Sequence, residues 1–333
     1  MTRAWILPDG VEEALPDVAW RIEMLRRRLL DRYREAGYEL ILPPLIEYLD
    51  TLLAGNASDL ESQIFKLTDP SGGRLLGLRA DMTPQAARIA ARHFPDRAVL
   101  RLCYLGSVLR TRPDGLGGSR APRQVGCELF GEPAIGGDLE VLRLMLETLQ
   151  LAGVREPHID LGHVGIYRAL SAGLGLDDDD EAVIFDLTQR KSLPDLQAFS
   201  SARGLHAAAV KQIAELMQLN GDVSVLQLAR ERLPSADPAI ASALTIIEDA
   251  ATELQKFAPS IAIHVDLAEL RGYRYHTGLV FAAFVPGLGR DVARGGRYDG
   301  VGREFGLARP ATGFSADLNE LLRLRASNTD ANH

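Results

Sequence analysis

The sequence of 333 residues predicts an α+β fold in which helices flank an antiparallel sheet. The first observation behind this prediction is the composition, because 46% hydrophobic and 25% charged residues are typical of globular proteins. The second is the order of the predicted elements. Strand-like runs follow one another with helices grouped apart, whereas a parallel sheet would need strands and helices to alternate. The length allows about two domains of roughly 150 residues, each large enough to bury a core.

The N-terminal part predicts an amphipathic helix and a short strand. Apolar residues at spacings of three and four mark the helix, namely Val18, Ile22, Leu25, Leu29 and Tyr33. Gly37 ends it. Residues 38–42 then form an apolar strand that Pro43 and Pro44 stop, because proline cannot donate to a strand ladder.

The middle of the chain predicts an antiparallel strand pair and a second helix. The strands at 99–106 and 125–131 flank a long loop rich in glycine, proline and arginine. A loop of that length is often functional. A stripe of Leu139, Leu142, Leu146 and Leu149 then marks a helix that Gly153 closes.

After a strand at 159–163, the sequence carries mostly helical signals as far as Phe257. We interpret this stretch as a helical insertion at about 165–258 within a core that spans 1–325, with 326–333 as a tail. Its candidate helices are 194–202, 207–219 and 239–257.

The C-terminal part predicts a return to strands. They are expected at 261–267, 279–285 and 291–294, followed by a turn at Gly295 and Gly296. A closing helix is predicted near 316–325.

The charge and motif content exclude several classes of protein. A net charge of −8 argues against broad binding to nucleic acid. No apolar run reaches about 18 residues, and the first residues lack a signal-peptide pattern, so we expect a cytoplasmic protein without membrane contact. Cys103 and Cys127 have no metal-ligand spacing and are expected in the core. No phosphate-binding loop, nucleophile elbow or dinucleotide fingerprint is present, so we expect no cofactor and no metal.

Four segments contain polar residues that packing alone does not explain. In the first, Asp81 and Thr83 lie two apart on one side of an extended strand, where they could hold an ammonium group. A helix cap at Asp81 is the alternative. In the second, Gln124 and Glu128 share a strand face near Arg110, and a solvated strand face is the alternative.

The third segment, 270–278, contains glycines that let the backbone approach a ligand. The guanidinium of Arg271 could bind a carboxylate there through two parallel hydrogen bonds. A hairpin turn with an exposed arginine and a structural His276 is the alternative. The fourth segment, 294–300, is interpreted as a tight turn whose Tyr298 phenol could contact a ring.

In this order the segments resemble the catalytic core of the histidyl-tRNA synthetases, a class II aminoacyl-tRNA synthetase family. Residues 43–44 resemble motif 1, residues 110–128 resemble motif 2, and residues 311–315 resemble the opening of motif 3. The resemblance implies a class II core with a pocket for free L-histidine. The pocket residues it implies are Asp81, Thr83 and Gln124 at the amino group, Arg271 at the carboxylate, Glu128, Tyr275, His276 and Tyr298 around the imidazole, and Arg110 beside them.

Several positions depart from the synthetase pattern. Glu320 stands where motif 3 has the arginine that grips ATP, and Pro122 replaces the aromatic residue that stacks on adenine. Arg274 stands where an acid is expected, and His276 where a tyrosine is expected. The chain also ends soon after motif 3, so we expect no anticodon-binding domain and no tRNA partner.

A core that keeps the amino-acid pocket and loses the ATP residues resembles the regulatory subunits of short-form ATP phosphoribosyltransferase, which are paralogues of the synthetases. The resemblance implies a non-catalytic subunit that forms a homodimer and associates with the short catalytic subunit. It would be required for activity and for feedback inhibition by histidine in the first step of histidine biosynthesis. Two alternatives are a truncated histidine-activating enzyme, which Arg110 and Arg271 would serve, and a histidine-dependent module that regulates a kinase or translation.

Overall fold

The computed structural model describes residues 6–54, 58–113, 115, 118–272 and 275–330, and these residues form two sheets. The strands are β1 (Glu39–Leu40), β2 (Ile46–Tyr48), β3 (Phe65–Thr68), β4 (Leu75–Leu78), β5 (Leu100–Ser107), β6 (Arg123–Phe130), β7 (His158–His163), β8 (Asn220–Gly221), β9 (Ala262–Asp266), β10 (Leu279–Phe284), β11 (Ala293–Arg297) and β12 (Ala311–Asp317).

The helices lie in three groups along the chain, before β5, between β6 and β9, and after β12. They are α1 (Pro16–Glu35), α2 (Leu49–Leu53), α3 (Ser58–Glu61), α4 (Thr83–His93), α5 (Ile135–Ala152), α6 (Val164–Ala172), α7 (Asp178–Gln189), α8 (Leu193–Arg203), α9 (Ala207–Leu216), α10 (Val225–Arg232), α11 (Pro238–Phe257) and α12 (Leu318–Asp330). Within the described residues, no helix combines the length and apolar character needed to cross a membrane.

The larger sheet is predominantly antiparallel. In the described part of the chain it has nine strands in the order β1-β5-β6-β12-β11-β10-β7-β9-β8. The pairs β1 with β5 and β7 with β9 are parallel, and the other neighbours are antiparallel. Strands β2, β4 and β3 form a small antiparallel sheet. The predicted α+β class is therefore confirmed, as is the predicted pairing of β5 with β6.

Alternation along β5 and β6 divides the large sheet into a core face and a second face. Cys103 and Cys127 are direct cross-strand partners, and both are buried in the main apolar core with side chains of α1 and α5. The neighbouring Tyr104 and Glu128 point to the opposite face, since successive strand residues alternate between faces. On that face α4 packs against the sheet through Ala86 and its neighbours.

Several helix boundaries follow the sequence signals. Four of the five residues in the predicted stripe of α1 are buried, and only Val18 is exposed. Gly153 ends α5 with a φ of 77°, a left-handed conformation that glycine adopts readily. The acidic run after Leu176 begins α7, where the Asp177 carboxylate accepts a hydrogen bond from the Asp180 backbone N–H.

Helices α6 to α11 and the short strand β8 occupy the chain between β7 and β9. The candidate helices at 194–202, 207–219 and 239–257 correspond to α8, α9 and α11. The interpretation of this stretch as an insertion in a core spanning 1–325 stays a prediction. The last helix runs to Asp330, so most of the predicted tail is helical.

The structure corrects the prediction for the C-terminal strands. Gly295 and Gly296 lie inside β11 and make no turn. A Cβ atom at Gly295 would lie 2.2 Å from the Gly313 carbonyl oxygen and 2.6 Å from the Phe281 ring, so this glycine permits close packing of β11. The predicted closing helix near 316–325 is present, and it starts at Leu318 because β12 continues to Asp317.

Candidate ligand-binding site

A cavity of about 420 Å³ opens on the second face of the large sheet. Its walls come from β6, β10, β11 and β12, from the start of α4, and from the loop between β9 and β10. The cavity brings together most of the predicted site, namely Asp81, Thr83, Glu128, Arg271, Tyr275, His276 and Tyr298. Gln124 and Arg110 instead line an adjoining cavity of about 230 Å³, which shares Arg271 with the first.

The acidic end of the larger cavity is built on the first turn of α4. The Asp81 carboxylate accepts hydrogen bonds from the Thr83 backbone N–H at 2.8 Å and from the Gln124 amide at 3.0 Å. Gln124 in turn accepts from the Met82 N–H at 2.9 Å. The predicted extended strand at 81–83 is wrong, because Thr83 already begins α4. Asp81 lines the cavity, and its carboxylate also accepts from the first N–H of α4. The alternative of a helix cap at Asp81 is wrong by one residue, because the N-cap of α4 is Met82.

Glu128 forms the buried floor of the cavity. Its side chain accepts hydrogen bonds from the hydroxyls of Thr83 and Tyr104, both at 2.8 Å, and from the Tyr298 hydroxyl. Burial raises the pKa of Glu128 from 4.5 to about 7, although these hydroxyl donors act in the opposite direction. The alternative of a solvated strand face is excluded, since Glu128 and Gln124 are 1% and 4% exposed.

The loop between β9 and β10 contributes two rings beside Glu128. Tyr275 stacks on Tyr298 with ring centroids 4.8 Å apart. Burial lowers the pKa of His276 to about 4, so its imidazole is neutral at pH 7. Within the described residues its Nδ1 atom has no hydrogen-bond partner. From α6, Arg168 donates to the His276 carbonyl oxygen at 2.6 Å and fixes the loop.

Arg271 lies where the two cavities meet. Its Nη2 and Nε atoms donate to the Glu269 carboxylate at 2.6 Å and 3.0 Å, and its Nη1 atom donates to Asp291 at 3.2 Å. Donation of these hydrogen bonds to the Glu269 carboxylate raises the pKa of the guanidinium. A carboxylate ligand would therefore share Arg271 with two acidic side chains that already hold it in place.

The adjoining cavity contains two of the positions that depart from the synthetase pattern. Pro122 and Glu320 both line it. The Glu320 carboxylate lies 2.7 Å from Nη2 of Arg290 and 3.6 Å from Nη1 of Arg323. Glu320 therefore competes with any polyphosphate ligand for these two guanidiniums. Arg274, another departure, lies outside the described residues.

The sequence did not predict several residues that hold the site residues in place or that line the cavity from a distant part of the chain. Tyr104 supports Glu128, Glu269 holds Arg271, and Gln189 from the end of α7 lines the cavity. Gly313 is a further case, because a Cβ atom there would lie 1.6 Å from Oε2 of Glu128. Glycine inside a strand signals such close approach, whereas the role of Gln189 has no local signal. Among the described residues, no group of His, Cys, Asp and Glu side chains is arranged to hold a metal ion.

The fold and the cavity define a class II core of the histidyl-tRNA synthetase type. The histidyl-tRNA synthetase family matches residues 10–321. A crystal structure titled as an ATP phosphoribosyltransferase regulatory subunit/histidyl-tRNA synthetase from Bacillus halodurans has a TM-score of 0.84 at 28% identity, covering 96% of this chain and 83% of that one. A chain of the ATP phosphoribosyl transferase (HisG:HisZ) complex from Thermotoga maritima shares the fold, with a TM-score of 0.68 at 20% identity. The match covers 88% of this chain and 96% of that one.

Curated relatives identify the branch within this class. ATP phosphoribosyltransferase regulatory subunits from Thioalkalivibrio sulfidiphilus and Methylococcus capsulatus are 54% and 52% identical over 96% of this chain. The chain spans 81% and 79% of their lengths, so the expected lack of an anticodon-binding domain stays a prediction. The chain belongs to the ATP phosphoribosyltransferase regulatory subunits, within the histidyl-tRNA synthetase family, as its motifs predict.

Proposed function

We propose that this chain binds L-histidine in the larger cavity and, as a non-catalytic subunit, controls a short ATP phosphoribosyltransferase catalytic subunit. The catalytic subunit would need the chain for activity, and histidine bound to the chain would inhibit the complex in the first step of histidine biosynthesis. The observation that carries the proposal is a retained amino-acid cavity beside an ion pair between Glu320 and Arg290.

The polar groups of the cavity match the three ends of histidine. The Asp81 carboxylate can accept from an ammonium group, and the Arg271 guanidinium can bind a carboxylate. The buried Glu128 carboxyl can accept from an imidazole N–H. A volume of about 420 Å³ is within the range of small-molecule sites. Gln124 supports the ammonium position through its hydrogen bond to Asp81, and Arg110 is close by in the adjoining cavity.

A histidine-activating enzyme is the weaker alternative. Arg110 and Arg271 could contact the phosphate of an adenylate, but Glu320 and Pro122 remove the phosphate grip and the adenine stack. We expect no histidine-dependent pyrophosphate exchange by the purified chain and no binding of tRNA. Measurable exchange would favour the enzyme.

We also propose that the chain forms a homodimer and works in the cytoplasm. The small sheet and the segment before it present exposed apolar side chains, and Leu42 and Leu75 are 76% and 53% exposed. An apolar surface of this kind is a candidate interface, and a two-fold pair is the commonest oligomer. Sedimentation at micromolar concentration should give about twice the 36.3 kDa of one chain, and a species of one chain only would contradict the dimer.

The regulatory proposal is tested by three rates of phosphoribosyltransferase activity. They are measured for the catalytic subunit alone, with this chain, and with this chain plus histidine. We expect the second rate to exceed the first, and the third to fall below the second. Three equal rates would contradict the proposal.

A further inference from the structure

Tyr104 lies beneath the proposed histidine site without lining the cavity. Its hydroxyl donates to Oε1 of Glu128 at 2.8 Å and lies 3.0 Å from the Thr83 hydroxyl. Thr83 belongs to the ammonium end of the site and Glu128 to the imidazole end. The Tyr104 hydroxyl thus connects the two ends, and its side chain is fully buried.

The strand register makes room for this hydroxyl. Tyr104 on β5 is the direct partner of Gly126 on β6. Gly126 lies between Gln124 and Glu128 on one face of β6, because strand side chains alternate. A Cβ atom at Gly126 would lie 2.6 Å from the Tyr104 hydroxyl oxygen and 2.5 Å from the Phe314 carbonyl oxygen. The glycine therefore lets the phenol of Tyr104 cross β6 and reach Glu128.

We infer that Tyr104 is a positioning residue of the histidine site, whose hydroxyl holds the Glu128 carboxylate in the orientation that receives the ligand's imidazole. The inference rests on the proposed function and adds a residue to it. With Tyr104 and Thr83 on Oε1 and Tyr298 on Oε2, the carboxylate is fixed at both oxygens. Its remaining acceptor capacity is directed to the cavity that Glu128 lines.

A hydroxyl that donates to a carboxylate also stabilises its charged form. Loss of the Tyr104 hydroxyl should therefore raise the pKa of Glu128. As the pH is lowered, Glu128 would then become protonated earlier, and histidine binding should begin to weaken at a higher pH than in the wild type. Among the described residues, the titratable side chains that face Glu128 include Asp81, Tyr104, Tyr275 and Tyr298. Asp81 acts against ionisation of Glu128 through its negative charge, and it is unchanged in the test.

The test compares Tyr104→Phe with the control Tyr38→Phe. Tyr38 is also buried and donates to a glutamate, Glu140, at 2.9 Å on the other face of the sheet. Calorimetry gives the histidine Kd from pH 5.5 to pH 8.5. The titration midpoint of Glu128 comes from ¹³C NMR of labelled glutamate, in which the Glu128 signal is assigned by its absence in Glu128→Gln. For Tyr104→Phe we expect affinity about three- to tenfold weaker at pH 7 and a higher midpoint. Tyr38→Phe should change neither.

A second variant distinguishes the loss of the hydroxyl donor from a change in side-chain packing. Substitution of 3-fluorotyrosine at position 104 makes the phenol a stronger donor, so the Glu128 midpoint should move down, opposite to Tyr104→Phe. Opposite shifts support positioning by the hydroxyl. An unchanged midpoint in both Tyr104 variants, or an equal change in Tyr38→Phe, would overturn the inference. If the wild-type chain binds no histidine, the proposed function fails, and this inference fails with it as a statement about the ligand. A midpoint that still moves in the Tyr104 variants would then support only the hydrogen bond between Tyr104 and Glu128.

Discussion

At the scale of single residues, Arg271 carries the sharpest expectation for ligand binding. Its guanidinium is shared by Glu269 and Asp291, whose side chains are only 15% and 13% exposed. Arg271→Ala removes the carboxylate anchor and takes the guanidinium away from both acids, although Arg294 still lies 3.8 Å from Asp291. A charge-assisted hydrogen bond contributes about 1.5 to 3 kcal/mol, so histidine affinity should fall at least about tenfold.

Calorimetric titration measures this loss. Arg230→Ala is the matched control, because Arg230 forms an ion pair with Glu248 on the surface of α10 and α11, away from the cavity. Equal affinities for wild type, Arg271→Ala and Arg230→Ala would remove Arg271 from the site.

Glu128 makes stability depend on pH in a defined direction. Its pKa of about 7 in the folded chain exceeds the ordinary value of 4.5, so the unfolded chain loses this proton first as pH rises. Below pH 4.5 the carboxyl is neutral in both states and burial costs little. Above pH 7 the folded chain must bury a charge, at a cost on the order of 3 kcal/mol. Stability attributable to Glu128 therefore declines between pH 4.5 and pH 7.

Glu128→Gln removes this titration and keeps the side-chain shape. The variant should gain stability relative to wild type as pH rises from 5 to 8, even though we expect it to bind histidine poorly. Urea unfolding at pH 5 and pH 8 gives the free energy of unfolding of both proteins. The other titrating groups are the same in both, so their effects cancel in the difference between variant and wild type. Parallel profiles for the two proteins would show that Glu128 does not titrate in this range.

At the scale of elements, the close pairing of β6, β11 and β12 depends on glycines. Gly313 on β12 is the register partner of Glu128, and its missing side chain leaves space for the carboxylate. Gly313→Ala should displace Glu128, lower histidine affinity at least about tenfold, and destabilise the fold by about 1 to 3 kcal/mol as an overpacked site. Calorimetry and thermal unfolding check both effects.

The control for this change is Gly289→Ala, at a glycine whose added Cβ atom would meet nothing within 4 Å in the described structure. Its stability should stay within about 0.5 kcal/mol of wild type. Similar losses in the two variants would indicate a general intolerance to substitution and would argue against the specific clash with Glu128.

The helices and strands differ in how far the sequence could predict them. The stripe of α1, the pairing of β5 with β6 and the Gly153 end of α5 follow from local patterns of period and capping. The glycines of β11 were misread as a turn, because their need for close contact with Gly313 and Phe281 arises across strands. Strands β2 to β4 were missed because they are short and mostly exposed, which leaves little apolar alternation.

The candidate site was predictable where a motif carried its chemistry. Asp81, Glu128 and Arg271 meet at one cavity as the resemblance implies. Tyr104 was not predictable, because its contact with Glu128 depends on the register that places it opposite Gly126. A register between strands is not encoded in the pattern of either strand alone.

At the scale of the whole molecule, the cavity touches the long helical stretch between β7 and β9. Gln189 at the end of α7 lines the cavity, and Arg168 of α6 donates to the loop that carries His276. If a ligand contacts this loop, we expect its effect to reach α6 and α7 through these two contacts. This provides a physical connection between an occupied cavity and a helical surface that a partner could contact.

Coupling through such a connection must be reciprocal for binding. If histidine changes the affinity of the catalytic subunit for this chain, the catalytic subunit must change histidine affinity by the same factor, typically about 5- to 150-fold. Calorimetric titration of histidine into the chain alone and into the assembled complex measures this factor.

Arg271→Ala should still assemble with the catalytic subunit, as seen by sedimentation, because Arg271 lies in the cavity wall. Its complex should resist inhibition by histidine. Identical histidine affinities in the free chain and the complex, together with full inhibition of the Arg271→Ala complex, would mean that inhibition does not pass through this cavity.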